Sequence, residues 1–176
     1  MPGANGPSGS TLDPLAIECK FASLEPVRKR HASGTIFESV ALGRLEFVRM
    51  PAGRSSFWFG QQHMPDSRFT LRVVCEVVDD NTPGVDHVAS VVSLRRNQVR
   101  DAAACLPLLN ARLRDMGIEG KVCEDDLVLT AIYLRAQPLL DPCHELEYHV
   151  ALRPGLLATV AFVYGVPLSV RIDLQA

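Results

Sequence analysis

The chain has 176 residues, of which 47% are hydrophobic and 22% are charged, and its formal net charge is −2. These values are typical of a globular protein with one core, and the charge argues against general nucleic-acid binding, which needs a strongly positive field. No apolar stretch is long enough to cross a bilayer, so we expect no membrane partner.

The five cysteines show no pattern typical of a disulfide framework or a metal site. They stand at positions 19, 75, 105, 123 and 143, an odd number without Cys-x-x-Cys spacing. Several lie inside apolar runs, where cysteine behaves as a small buried side chain. With no signal-peptide pattern at the start of the chain, this predicts reduced thiols and a cytoplasmic location.

Residues 1–12 are rich in Gly, Pro and Ser, which predicts a disordered tail before a single domain over residues 13–176. Asp13 and Pro14 fit the N-cap and first position of a helix that ends near Leu24.

The chain from Thr35 to Arg96 has the pattern of β-structure. A hairpin is predicted where Leu45–Val48 and Ser56–His63 flank a Pro-Ala-Gly-Arg turn. Phe69–Val77 alternates apolar and polar residues, as a half-buried strand does. Val88–Leu94 is interpreted as the next strand of an antiparallel meander.

The pattern then changes to helical spacing. Leu106, Leu109, Leu113 and Met116 share one helical face, and Gly117 fits a C-terminal cap. The next hairpin is predicted to join Lys121–Cys123 to Leu127–Leu134, whose apolar residues on both faces indicate a central strand.

The last part of the chain predicts more helix and one final strand. Asp141 and Pro142 are interpreted as the start of a helix that the Arg153-Pro154-Gly155 segment interrupts before Leu156–Tyr164. Leu168–Leu174 alternates as a strand. The predicted fold class is therefore α+β, with an antiparallel sheet and helices packed mainly on one face.

The densest group of reactive residue types is Cys143–His149. If this segment is a helix, Glu145 and His149 lie one turn apart on the same face. They are then either an ordinary i,i+4 pair of polar residues or two ligands of a metal ion. No His-x-x-x-His spacing supports the metal site. Cys143 near a helix N-terminus would have a lowered thiol pKa, although no base is placed beside it. We therefore predict no metal, no cofactor and no catalytic residue.

A partner-binding surface is predicted instead at the aromatic strand. In Phe57-Trp58-Phe59, Trp58 faces opposite to its neighbours, so one side can enter the core and the other can contact a partner. Arg95 and Arg96 are expected to flank that surface. The five predicted binding residues are Phe57, Trp58, Phe59, Arg95 and Arg96.

The order of elements in the second half resembles the YbjN and type III secretion chaperone-like superfamily. The resemblance rests on Leu108-Leu109-Asn110 in a helix, Gly120-Lys121-Val122, the acidic turn Glu124-Asp125-Asp126, and Leu127-Val128-Leu129, with Leu139–Ala151 as the following helix. It implies a small α+β protein, often dimeric, that binds peptide segments without catalysis.

Together these patterns favour a non-enzymatic protein that captures a protein or peptide segment, as a homodimer. One alternative is a small enzyme or ligand-binding domain that uses the Cys143–His149 segment. Another is a structural or assembly subunit of a larger complex.

Overall fold

The computed structural model describes residues 31–52, 54–63, 69–78, 81–138 and 143–175. The predicted tail, the predicted helix that ends near Leu24, and Cys19 lie outside these residues. The described chain forms eight strands and one α-helix. The strands are β1 (Ile36–Ser39), β2 (Gly43–Val48), β3 (Phe57–His63), β4 (Thr70–Glu76), β5 (Leu127–Leu134), β6 (Cys143–Val150), β7 (Leu156–Val163) and β8 (Val166–Leu174), and the helix is α1 (Val85–Asp115).

All eight strands form one sheet in which neighbours in sequence are neighbours in space, from β1 to β8. Strands β1 to β4 form one antiparallel meander and β5 to β8 form a second. The two meanders meet where β4 pairs in parallel with β5. A parallel pair needs a long crossover connection, and α1 supplies it.

The predicted α+β arrangement with helices packed on an antiparallel sheet is wrong. The protein has a single mixed sheet, and α1 is the one α-helix among the described residues. Five predicted features are confirmed: the hairpin of β2 and β3, the strand β4, the helix that contains Leu106 to Leu113, the central place of β5, and the C-terminal strand β8.

The strand predicted at Val88–Leu94 is wrong, because this segment forms the first part of α1. Its valines favour a strand locally, but the buried residues recur at helical spacing over the whole helix. Those buried residues are His87, Val91, Leu94, Asp101, Ala102, Cys105, Leu109 and Leu113. The long apolar stripe outweighs the weak local preference of a few β-branched residues.

The helices predicted over Leu139–Ala151 and Leu156–Tyr164 are also wrong, since these segments contain β6 and β7. In β6 the buried Leu146, Tyr148 and Val150 alternate with polar residues, which is a period of two. The apolar run of β7 belongs to an interior strand, which pairs with β6 on one side and β8 on the other. Lys121–Cys123 is not a strand either, because it leads into a 3-10 turn at Glu124–Asp126.

The main core lies between the sheet and α1. Residues that pair across strands share a face, and the pairs Phe47–Trp58, Val73–Ile132 and Leu146–Val160 all point toward the helix side. A second cluster of buried residues continues this layer under the end of α1: Leu109, Leu113, Val122, Val150, Leu156 and Ala158.

The residue at position 60 must be glycine for β2 and β3 to pack. A Cβ at Gly60 would lie 2.5 Å from the Arg44 carbonyl oxygen and 2.4 Å from Leu45 Cδ2. We expect Gly60→Ala to lower the free energy of unfolding by about 1–3 kcal/mol, since the clash involves backbone. Urea denaturation measures the change.

Gly84→Ser is the control for that variant. A Cβ at Gly84 meets nothing within 4 Å, and serine there can cap α1. It should leave stability unchanged or raise it. A Gly60→Ala protein as stable as the native chain would contradict the packing described for β2 and β3.

Candidate functional site

The sheet face opposite α1, called here the open face, carries two rows of side chains. The register places one row across six strands: Phe59, Val74, Tyr133, Glu145, Ala161 and Ser169. The neighbouring row is more polar: Gln61, Arg72, Ala131, Glu147, Thr159 and Arg171. The described helix packs on the other face, so these two rows form the candidate functional surface of the sheet. Gln61, Ser169 and Arg171 are exposed, Ala131, Glu147 and Thr159 are buried, and the other six are half-buried.

Glu147 is the centre of the polar row. It is a carboxylate only 7% exposed, in the middle of β6. Arg72 on β4 forms an ion pair with its Oε1 atom, and Thr130 donates a hydrogen bond of 2.8 Å to the same oxygen. Tyr133 donates its hydroxyl to Oε2 at 3.3 Å. Burying a charge requires such partners, and Glu147 has three of them.

Thr130 reaches Glu147 because β5 is irregular at that point. The pairing of β5 with β6 shifts between Leu129 and Ala131, which leaves Thr130 as an extra residue. Such a bulge turns a side chain out of the regular alternation. Thr130 therefore reaches the open face instead of opposing a residue of β6.

Tyr133 remains a hydrogen-bond donor at neutral pH. Its pKa is raised above the ordinary value, first by burial and then by the negative charge of Glu147. The phenol is therefore protonated and donates to the carboxylate. The Arg72–Glu147 ion pair is therefore supported by two neutral hydroxyl donors from β5.

A pocket of about 290 Å³ lies beside this cluster, lined by Phe69, Thr70, Arg72, Thr130, Glu147, His149, Leu157 and Gln175. The His149 ring packs against Phe69 with centroids 4.5 Å apart. Near the pocket, the Thr159 hydroxyl is buried and finds no hydrogen-bond partner among the described residues.

The three aromatic residues predicted to bind a partner lie on both sides of the sheet. Phe57 and Phe59 are half-buried on the open face. Trp58 is completely buried on the helix side, where its ring packs 5.1 Å from that of Phe47 and its indole N–H donates to the Asn81 carbonyl at 2.8 Å. Trp58 thus forms part of the core.

The two predicted arginines lie on α1, on the other side of the sheet from Phe57 and Phe59. Arg95 donates a hydrogen bond of 3.1 Å to Gln62 on β3, and Arg96 is exposed. The five predicted residues therefore do not form one surface. Only Phe57 and Phe59 join the residues of the open face.

The Cys143–His149 segment has a different geometry from the predicted helix. In β6, Glu145 and His149 share a face but lie four residues apart, a span of roughly 13 Å. That separation removes the one-turn proximity on which the pair of ligands depended. Within the described ranges, no group of three or more His, Cys, Asp or Glu could hold a metal ion, and no described helix is long and apolar enough to cross a membrane.

The sequence interpretation missed Arg72, Thr130, Tyr133 and Glu147 as one group, since they come from three strands. The sequence does contain one indication that Glu147 lies on a strand. Glu145, Glu147 and His149 alternate with Leu146, Tyr148 and Val150, so the segment has a polar and an apolar side at a period of two.

No protein-family model, curated protein or solved structure matches this chain. The resemblance to the YbjN and type III secretion chaperone-like superfamily therefore stays a prediction.

The Arg72–Glu147 pair gives a stability test. Arg72→Met leaves a buried carboxylate without its cation, so we expect the free energy of unfolding to fall by about 2–4 kcal/mol. Adding Glu147→Met should recover more than half of that loss, because the uncompensated charge disappears. Urea denaturation of the single and double variants measures both effects.

Arg135→Met is the matched control, since Arg135 and Glu76 form a more exposed pair at 3.6 Å. It should cost less than about 1 kcal/mol. Equal losses for Arg72→Met and Arg135→Met would show that Glu147 does not depend on Arg72.

Three of the cysteine thiols have a pKa above the ordinary value, for two different reasons. Burial raises the pKa of Cys75 to about 12 and that of Cys105 to about 11. Cys123 is exposed, but its thiol donates to Asp126 at 2.9 Å, and this hydrogen bond raises its pKa above the ordinary value. All three thiols are therefore held in the protonated form, which reacts slowly with alkylating reagents.

We expect Asp126→Asn to increase the rate of Cys123 alkylation several-fold at pH 8. Removal of the carboxylate lowers the thiol pKa, so more thiolate is present at that pH. Iodoacetamide labelling followed by peptide mass spectrometry measures the rate. Asp125→Asn, which alters the neighbouring exposed carboxylate, should leave the rate unchanged; a rate that is also unchanged in Asp126→Asn would contradict the role of the hydrogen bond.

Proposed function

We propose that the protein is a non-enzymatic binding protein of the cytoplasm that captures a segment of another polypeptide on the open face of its sheet, and that it acts as a homodimer. The observation that carries this proposal is the open face itself, where half-buried aromatic side chains lie beside a buried polar cluster. Aromatic contacts supply affinity in such a surface, and a few fixed polar groups supply orientation.

The apolar part of the surface consists of Phe57, Phe59, Val74 and Tyr133. Phe59 pairs with Val74, and Val74 pairs with Tyr133, so these side chains form a continuous band over three strands. All are partly exposed, which leaves area for an apolar partner side chain. We expect the captured segment to place apolar residues on this band.

The polar part supports binding over catalysis. Both carboxylate oxygens of Glu147 are already engaged, by Arg72, Thr130 and Tyr133, as in a structural ion pair. The partner we propose is therefore a mixed apolar and polar polypeptide segment.

Selection from a random peptide display library on the immobilised full chain tests this function. A synthetic copy of a recovered peptide, measured by fluorescence anisotropy, should bind the native protein. Phe59→Ala should weaken its binding at least about ten-fold, because truncation of a central aromatic contact removes much of the affinity.

Arg96→Ala is the matched control, because Arg96 is exposed on the helix side. It should change the affinity by less than about two-fold. Circular dichroism confirms that each variant is folded. Failure to recover any binding peptide, or equal binding by folded Phe59→Ala and native protein, would refute capture on the open face.

A further inference from the structure

The two edges of the sheet differ in length. Strand β1 at one edge has four residues, whereas β8 at the other edge has nine. No described residue pairs with the outer side of β8. Its exposed apolar side chains include Leu168 at 61% and Leu174 at 53%. A long apolar edge strand is a template for pairing with another strand.

The outer hydrogen-bonding groups of β8 can be assigned from one bond. The Gln175 amide donates inward to the Gly155 carbonyl at 2.8 Å. Because the direction of backbone groups alternates along a strand, Arg171 and Asp173 also direct theirs toward β7. Val170, Ile172 and Leu174 then direct their N–H and C=O groups outward.

The charges on this strand are self-complementary. Arg171 and Asp173 lie on the open face, two residues apart, and their side chains are 68% and 52% exposed. Within one chain the Arg171 Nε donates to Asp173 Oδ2 at 3.1 Å, so pairing with a second copy would add a cross-strand partner to each of these charges. If a second β8 pairs antiparallel about a two-fold axis at Ile172, Arg171 of each copy lies opposite Asp173 of the other. Opposite charges at such a cross-strand position stabilise the pair.

We propose that a second copy of this chain occupies the β8 edge, in an antiparallel register centred on Ile172. Val170 then pairs with Leu174 of the second copy, and the outward groups form about six backbone hydrogen bonds. The exposed Leu174 side chain packs on the helix-covered side against Val170 of the other copy. The two sheets become continuous, and both open faces lie on the same side.

The irregular end of β8 favours this register over its neighbour. The β7–β8 pairing shifts between Ala161 and Phe162, where Phe162 pairs with Pro167, so regular pairing begins at Ser169. A two-fold axis at Ile172 pairs Ser169–Gln175 of the two copies, so the contact does not include this irregular segment. A two-fold at Val170 would instead bring Leu168 and Pro167 into the contact and place Arg171 opposite Ser169.

The β8 contact rests on the homodimer that is part of the proposed function. Peptide capture on the open face does not depend on this contact. Sedimentation equilibrium of the full chain tests it at low ionic strength. The native protein should dimerise. Arg171→Asp and Asp173→Arg should each raise the dimer dissociation constant about ten-fold or more. In the proposed register, position 171 of each copy lies opposite position 173 of the other, so each variant creates two pairs of like charges.

The double variant Arg171→Asp/Asp173→Arg restores opposite charges and should recover native affinity to within about three-fold. Arg96→Asp, an exposed charge reversal on α1, should leave the dimer unchanged. A monomeric native protein, single variants that dimerise normally, or a double variant that does not recover would each overturn the proposal. Circular dichroism confirms folding. Peptide binding by the native protein, compared with that by Phe59→Ala, shows whether capture holds independently of whether the native protein dimerises.

Discussion

The parallel pairing of β4 with β5 is the constraint on which the rest of the structure depends. Two parallel neighbours cannot be joined by a tight turn, so the chain must cross over one face of the sheet, and α1 makes that crossing. The helix gives one face an apolar core. The polar rows lie on the other face, because the crossover helix covers only one side of the sheet.

The ion pair on the open face lies across this junction. Arg72 belongs to β4, Thr130 and Tyr133 belong to β5, and Glu147 belongs to β6. The polar cluster therefore links the first meander to the second on the side that α1 leaves open. Apolar packing joins the meanders on one face, and charged hydrogen bonds join them on the other.

Neighbouring residues of β3 have different roles because their side chains point to opposite faces of the sheet. Trp58 stabilises the core, while Phe57 and Phe59 in the same strand belong to the open face. At the sheet edges, β1 is short and β8 is long, so only one edge offers many backbone groups for pairing. A sheet extended through β8 would enlarge the open face without altering its residues.

The sequence by itself determined the elements whose apolar period was unambiguous: the β2–β3 hairpin, the strand β4, the last part of α1 from Leu106, the central β5 and the alternating β8. It misassigned Val88–Leu94, Leu139–Ala151 and Leu156–Tyr164, because short apolar runs fit either period when the covering layer is unknown. Only the tertiary structure decided that Arg72, Thr130, Tyr133 and Glu147 meet, that the Trp58 side of β3 is the one that faces the core, and that Arg95 lies on the side opposite Phe59. Strand order and register bring distant residues together, and these depend on contacts across the sheet that no local pattern encodes.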